Sequence, residues 1–187
     1  MKKSTIVCAV SAWVVGTSAA ALQGAEEYKV DAVHSSVIFR VKHLELSYTY
    51  GRFNEITGSF SFGNRSLAIE VDAASVDTNS TDRDKHLLGA DFFDTKKYST
   101  IKFTAAEFKD IGSGKYEVSG NLTLLGVTKP LMVQLERIGS GKDRQGNART
   151  GFETTFTIKR SEFGMTYGLG GIGDEVRLTV SIEGVAK

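Results

Sequence analysis

The sequence predicts an all-β fold, a single antiparallel barrel of eight strands, or of nine if a short first strand is counted. From Tyr28 onward, apolar and polar side chains alternate, as in strands with one dry and one wet face. Glycine-containing turns such as Gly63-Asn64 separate the alternating runs, because glycine permits the backbone conformations of hairpin turns. Several runs approach about ten residues, or about 30 Å, which suits a tall barrel. A two-sheet sandwich without a cavity stays open as an alternative.

Each alternating run predicts one strand whose apolar face points into the barrel. The first strand is predicted near residues 28–33, and another near residues 52–62. The inward face is formed in the remaining runs by Val37, Phe39 and Val41, by Leu67, Ile69, Val71 and Ala73, by Ile101, Phe103 and Ala105, by Tyr116, Val118, Leu122 and Leu124, by Leu131, Val133 and Leu135, by Phe152, Phe156 and Ile158, and by Val176, Leu178, Val180 and Ile182.

Residues 77–98 interrupt the alternation, and the stretch around residues 80–94 is predicted to be a helical insert. Capping residues, among them Asn79 and Ser80, precede helix-compatible ones, which indicates one or two short helices across an end of the barrel. We expect the apolar side chains of this insert to face inward like a stopper; they are Leu87, Leu88, Phe92 and Phe93.

The N-terminus has the pattern of a secretory signal peptide. Lys2 and Lys3 precede the apolar residues 6–15, and small residues follow as far as Ala21. We predict that residues 1–21 are cleaved after export and that residues 22–187 form one domain. Cleavage would remove Cys8, the only cysteine, so the stability of this domain depends on its core and not on disulfides.

The charge and the motifs argue against several classes of function. Two of the 23 basic residues lie in the predicted signal peptide, which leaves 21 against 22 acidic residues, a balance that does not favour nucleic-acid binding. The glycine-rich loop 168–173 matches a dinucleotide-binding pattern, but it leads into a strand, and we interpret it as a flexible loop able to gate an opening. No nucleophile signature is present, so we expect a binding protein without catalytic residues and not an enzyme.

Three histidines, His34, His43 and His86, are the candidates for a metal site, since three imidazoles can hold zinc and leave one position open. Their spacing does not place them on one element, so we expect structural roles or contact with a ligand head group, and no metal. A histidine-based metal or redox accessory enzyme is the alternative function.

The alternation does not distinguish a solid core from a cavity, because eight strands enclose a space that side chains can just fill or that holds one small ligand. Small residues on the inward face leave room; they are Ala73, Ala105, Gly120 and Thr154. An outer-membrane barrel also alternates, but with its apolar face toward lipid, and the C-terminus lacks the terminal aromatic of such barrels.

Several motifs at consistent spacing resemble those of the YceI-like family, and they cover essentially the whole predicted domain. They are Asp31-Ala32-Val33-His34-Ser35, Phe39-Arg40-Val41-Lys42-His43, Gly51-Arg52-Phe53, Asp77-Thr78, Arg83-Asp84-Lys85-His86-Leu87, Asp91-Phe92-Phe93-Asp94, Ile101-Lys102-Phe103, Gly120-Asn121-Leu122-Thr123, Gly126-Val127-Thr128-Lys129-Pro130 and Arg160-Ser161-Glu162-Phe163-Gly164-Met165.

The resemblance implies a lipocalin-like barrel with a long central pocket for an extended polyisoprenoid, such as an isoprenoid quinone, which is a ligand and not a cofactor. It favours a cavity and a periplasmic protein that carries, stores or senses lipid; transient membrane contact and a homodimer are compatible with it. The polar mouth is expected at His34, Arg83 and Asp84. The ligand-binding residues are expected to be Phe39, His43, Phe53, His86, Leu87, Phe92, Phe93, Phe103, Leu122, Phe156, Phe163 and Met165.

Overall fold

The computed structural model describes residues 26–187, and the signal peptide predicted for residues 1–21 lies outside this range. The described chain has eleven strand segments and one α-helix, α1 (Thr81–Leu87), with short 3₁₀ turns at Ala32–His34, Ala73–Ser75 and Arg160–Phe163. No helix within residues 26–187 is long and apolar enough to cross a membrane. The strand segments are β1 (Tyr28–Val30), β2 (Ser36–His43), β3 (Ser47–Phe53), β4 (Ile56–Ser61), β5 (Ser66–Asp72), β6 (Val76–Asp77), β7 (Thr100–Gly112), β8 (Lys115–Leu124), β9 (Val127–Lys142), β10 (Ala148–Lys159) and β11 (Ile172–Ala186).

The segments form a closed antiparallel barrel of eight strands, as predicted. β1 and β2 are two halves of one bent strand, since both pair with β11 on either side of the turn at Ala32–His34. β3 continues into β4 across Asn54 and Glu55, and β5 into β6 across a second turn. β7 to β11 complete the ring, and β11 closes it against β1 and β2. Counting each bent strand once gives eight, and the predicted short first strand is the first half of a longer one.

The alternating apolar residues point inward, because the period of two matches the pleat of the strands. A β-bulge in β7 between Ala105 and Glu107 shifts this parity and turns Phe108 inward. At one end of the barrel, aromatic rings pack edge to face, with Phe60 and Phe152 at a centroid distance of 5.1 Å. Phe62 and Tyr116 extend this cluster, so the barrel is filled by its own side chains at this end.

The small inward residues do not all leave empty space. A Cβ atom built on Gly120 would lie 2.6 Å from Cζ of Phe103, so the space beside this glycine is occupied by a phenyl ring. Ala73 and Ala105 are buried in packed regions, with 1% and 9% exposure. Thr154 is also buried, and its hydroxyl has no hydrogen-bond partner among the described residues. The expectation of open space therefore fails at Gly120, where the larger neighbour fills it.

The insert between β6 and β7 contains a single helix, α1, followed by turns up to the start of β7. The start of α1 is anchored through Thr78, the residue that follows β6. The backbone N–H of Thr78 donates to Oδ1 of Asp84 at 2.9 Å, and Nη2 of Arg83 donates to the carbonyl of Thr78 at 2.7 Å. These bonds hold the insert across the end of the barrel opposite the aromatic cluster.

Candidate ligand-binding cavity

A cavity of about 670 Å³ lies inside the barrel at the end that carries the insert. Its walls are mainly aliphatic and aromatic side chains from β2, β3, β7, β8, β10 and β11, and its mouth lies between the insert and the glycine-rich loop. The residues that line it are Phe39, Val41, Lys42, His43, Thr49, Phe53, Thr78, Asp82, Arg83, His86, Leu87, Phe92, Phe93, Ile101, Leu122, Leu124, Phe156, Ile158, Arg160, Met165, Tyr167, Ile172, Val176 and Leu178.

A smaller apolar chamber of about 80 Å³ lies deeper in the barrel. It shares lining residues with the main cavity, among them Leu122, Phe156 and Leu178, and continues toward the aromatic cluster at Phe152. Val180 and the unpartnered hydroxyl of Thr154 line only this deep chamber. The two spaces follow one another along the barrel, as an elongated ligand would require.

The structure brings most of the predicted ligand-binding residues together around the main cavity. Ten of the twelve line it, and Phe103 lines the deep chamber instead. Phe163 lines neither space: it is buried against Leu122 and Leu124, in the turn that follows β10. The ten are Phe39, His43, Phe53, His86, Leu87, Phe92, Phe93, Leu122, Phe156 and Met165.

The position of Phe163 is explained by a break in the barrel wall. β9 and β10 pair only between Glu136–Lys142 and Ala148–Glu153. Toward the mouth the two strands run without ladder pairing, and Phe163 covers this gap beside Leu131 and Ile158. Pro130 lies in the unpaired part of β9, where its missing amide donor costs no hydrogen bond with β10.

Only one of the three residues predicted for the polar mouth lines the cavity. Arg83 does so, while Asp84 accepts hydrogen bonds from Thr78 and fixes the insert. His34 precedes β2, and His43 ends it at the mouth, so the length of this strand places His34 at the opposite end of the barrel. There Nδ1 of His34 lies 2.9 Å from Oδ2 of Asp31.

His34, His43 and His86 therefore do not converge on one metal site. Within residues 26–187, Asp31, His34 and Glu183 are the group of three whose potential ligand atoms lie close together. Nη1 of Arg149 donates to both carboxylates, at 2.7 Å each, so a guanidinium already occupies the position between them. The hydrogen bonds from His34 and Arg149 lower the pKa of Asp31 to about 2.

An aromatic cluster joins the insert to the glycine-rich loop across the mouth. The His86 ring packs edge to face on Phe92 and Tyr167, at centroid distances of 5.0 and 5.3 Å. Nε2 of His86 lies 3.0 Å from Oδ2 of Asp91, which orients the imidazole. Phe92 and Tyr167 are also in edge-to-face contact, at 5.3 Å. These three rings form one side of the mouth, and the imidazole and phenol groups make that side partly polar.

A buried arginine, Arg160, supports the glycine-rich loop and was not among the predicted site residues. It is 2% exposed, and its guanidinium donates to the carbonyls of Met165, Tyr167, Ile172 and Gly173 at 2.8 to 3.0 Å. Burial lowers the pKa of Arg160, and Asp174 opposes this change. Arg160 follows the inward-facing Ile158 by two residues, so the alternation indicates that it also points inward. Its charge made a position in the core difficult to predict from the sequence.

Comparison with known sequences finds relatives along nearly the whole described chain. The family model described as the YceI-like domain matches residues 28–184. A UPF0312 protein of Pectobacterium carotovorum subsp. carotovorum is 39% identical to this chain over 194 residues, with all of both chains covered. A UPF0312 protein of Pseudomonas aeruginosa is 41% identical over 170 residues, which cover 87% of this chain and 88% of that protein.

Solved structures show the same barrel. BcnA of Burkholderia cenocepacia matches with a TM-score of 0.73 and 25% identity, over 82% of this chain and 98% of that one. A YceI protein of Campylobacter jejuni matches with a TM-score of 0.68 and 31% identity, over 78% and 90%. A polyisoprenoid-binding domain of Saccharophagus degradans matches with a TM-score of 0.70 over 86% and 98%; at 19% identity this likeness shows the fold alone.

Proposed function

Because the chain belongs to the YceI-like family, we propose that its barrel binds one extended polyisoprenoid lipid, or a similar amphiphile, and does not catalyse a reaction. The observation that carries this proposal is the elongated apolar space, a cavity of about 670 Å³ followed by the deep chamber. This volume lies in the range of about 300–1,000 Å³ that is usual for small-molecule sites. A domain of the same fold from Saccharophagus degradans is named for binding a ligand of this class.

The chemistry of the walls suits a hydrocarbon chain with a small polar end. Contact with Phe39, Phe156 and Leu178 removes apolar ligand surface from water, which is worth roughly 25 cal/mol for each Å². The polar groups lie at the mouth, where Arg83 and His86 can orient a head group. The chain would enter first and the head group would stay at the mouth, as in an isoprenoid quinone or an isoprenyl alcohol.

The cellular setting follows from the predicted export signal. Removal of residues 1–21 would leave residues 22–187 as a periplasmic protein that carries, stores or senses the lipid. The alternative of a histidine-based metal or redox enzyme receives no support from His34, which lies far from the other two histidines. His43 and His86 line the cavity, which supports a contact of their imidazoles with a ligand head group.

The proposal is tested by mass spectrometry of lipid extracted from the purified protein. Leu122→Glu puts a carboxylate into the cavity and should abolish recovery of the lipid, whereas Asn121→Glu, on the exposed face of the same strand, should not. Leu178→Trp narrows the cavity without a buried charge and should also lower recovery. Thr179→Trp on the outward face is its control.

Folding of each variant is checked by circular dichroism and thermal unfolding, since a buried charge costs stability. Equal lipid recovery from folded wild type, Leu178→Trp and Thr179→Trp would refute a ligand inside the barrel. Stoichiometric zinc or iron lost on replacement of His43 and His86 would favour the alternative function.

A further inference from the structure

Exposed apolar side chains lie on two adjacent segments at the mouth of the cavity. The turn between β2 and β3 carries Leu44 and Leu46, with 54% and 83% of their surface exposed, and the glycine-rich loop carries Tyr167 and Leu169, each 47% exposed. The backbone N–H of Leu44 donates to the carbonyl of Gly171 at 2.7 Å, which ties the turn to the loop. The two segments therefore lie side by side at the mouth.

Two tyrosines extend this surface along the outside of β3. Tyr48 and Tyr50 are 45% and 57% exposed and lie about 7 and 13 Å behind Leu46, at roughly 3.3 Å per residue. Tyrosine is enriched where a protein crosses from hydrocarbon to lipid head groups. We call this set the rim surface; it comprises Leu44, Leu46, Tyr48, Tyr50, Tyr167 and Leu169.

Basic side chains lie beside the tyrosines. In the strand register, Tyr48 is opposite Lys42, Tyr50 is opposite Arg40, and Arg40 is opposite Arg177 on β11. The guanidinium of Arg40 lies 4.2 Å from the centroid of the Tyr48 ring. These basic side chains lie farther from the end of the barrel than the leucines do. If the leucines enter a bilayer, the positive charge therefore lies at the depth of the lipid phosphates.

The acidic groups near this surface do not neutralise all of that charge. Nζ of Lys42 forms an ion pair with Glu45 at 2.7 Å. Among the residues that the structure describes, Arg40, Arg52 and Arg177 have no carboxylate within 4.0 Å, although Asp77 is the strand partner of Arg52. The guanidinium groups remain available to phosphate oxygens, which they bind in a bidentate fashion.

We propose that the rim surface docks the barrel, mouth first, on the surface of an anionic lipid bilayer. Leu44, Leu46 and Leu169 enter the edge of the hydrocarbon, the tyrosines lie among the head groups, and Arg40 and Arg177 contact lipid phosphates. The inference rests on the proposed function in one respect: docking would let a lipid pass between the bilayer and the cavity without crossing water. The docking itself is measured with no cavity ligand.

A second copy of the chain is the competing occupant. Residues 47–51 of β3 pair only with β2 in the described chain, so their outer edge could accept another strand. Edge pairing would cover the side of β3, but it would leave Leu46 and Leu169 in water at the end of the barrel. Arg40 and Arg177 lie on β2 and β11 and not on the paired edge, so edge pairing would leave their positive charge unused. The charge and the position of the leucines therefore favour a bilayer.

The test uses tryptophan fluorescence, because Trp13 is the only tryptophan of the sequence. In protein purified after removal of residues 1–21, which takes away both Trp13 and the apolar leader, Leu46→Trp places a unique reporter on the rim surface. Val33→Trp at the opposite end and Met132→Trp on the outer wall are matched controls, since both residues are well exposed. Each protein is mixed with vesicles of phosphatidylethanolamine and phosphatidylglycerol that contain brominated acyl chains.

We expect a blue shift and strong quenching for Leu46→Trp and neither change for Val33→Trp or Met132→Trp. Leu44→Glu with Leu46→Glu should weaken vesicle binding by about tenfold or more, since two buried leucines are lost, while binding of a short isoprenyl alcohol added in solution without vesicles stays unchanged. About 1 M salt should weaken binding through screening of the arginines. Absence of quenching would overturn the inference, as would a blue shift without vesicles that accompanies dimers in analytical ultracentrifugation.

Discussion

Phe39 and Gly51 face each other across β2 and β3, and the Phe39 ring lies over the glycine where a Cβ atom would otherwise be. A Cβ atom on Gly51 would approach Cζ of Phe39 to 2.3 Å. The glycine therefore determines where the ring lies, and the ring forms part of the cavity wall. The same arrangement recurs at Gly120 under Phe103 and at Gly184 under Phe60.

Gly51→Ala is expected to push the Phe39 ring into the cavity. We predict a loss of about 1–3 kcal/mol in the free energy of unfolding, as for other overpacked cores, together with reduced lipid binding. Urea unfolding and lipid titration measure the two effects. Phe39→Leu in the Gly51→Ala background should restore part of the stability. An equal loss with and without Phe39→Leu would show that the ring is not the cause.

The deep chamber should determine the length of the chain that fits. Val180 lines this chamber and not the main cavity, so Val180→Phe shortens the available space from its inner end. We predict weaker binding of the longest isoprenyl alcohols in a series with one head group, and unchanged binding of short ones. Dissociation constants for the series measure this, with Thr179→Phe on the outward face as control. A uniform loss at every length would contradict the prediction.

The hydrogen bonds of Arg160 should keep the glycine-rich loop in place. Lysine has three donors and cannot reproduce the four carbonyl contacts of the guanidinium. We predict that Arg160→Lys lowers the free energy of unfolding by about 1–3 kcal/mol and speeds amide hydrogen exchange in residues 165–173. Hydrogen exchange with mass spectrometry measures the second effect. Unchanged exchange in this loop would mean that its own turns hold it.

Asp31 should make the protein more stable at neutral pH than in acid. Hydrogen bonds from His34 and Arg149 lower its pKa to about 2, while the unfolded chain has a value of about 3.9. The unfolded state thus binds the proton first, so this contribution to stability is complete above about pH 4 and is lost as the pH falls toward 2. Asp143, which also contacts Arg149, behaves in the same way.

Asp31→Asn tests this pH dependence, because asparagine keeps the oxygen that accepts from the backbone N–H of Val33. We predict that the variant is less stable than wild type at pH 7 and that the difference shrinks as the pH falls below about 4. Urea unfolding across this range measures it, with the exposed Glu107→Gln as control. A difference that is constant with pH would assign the effect to packing.

The strands and their inward faces could be predicted from the sequence, because one side-chain period governs both. The alternation failed where backbone irregularities change the parity or the direction of the chain. The bulge in β7 turns Phe108 inward, and the turn at Ala32–His34 bends one strand into two halves. That turn and the length of β2 place His34 at the end of the barrel opposite the mouth, although the family resemblance had led us to expect it at the mouth with Arg83.

The apolar residues that line the cavity wall could be predicted from the sequence. The polar residues whose hydrogen bonds hold the backbone of the insert and of the glycine-rich loop could not. Asp84 and Arg160 bind backbone groups of the insert and of the glycine-rich loop. Such contacts depend on how two distant loops meet, which no local spacing encodes. Phe163 covers the gap between β9 and β10 for a similar reason, since the gap arises from strand divergence that the alternation does not reveal.

The central claim is that a lipid chain lies inside the barrel, along its length. The most direct measurement is photocrosslinking with a polyisoprenoid that carries a diazirine at the end of the chain, followed by tandem mass spectrometry of the labelled peptides. We expect label on the inward residues of the deep chamber, such as Val180 and Leu135. Label confined to outward side chains of the same strands, such as Thr179 and Glu136, would contradict it.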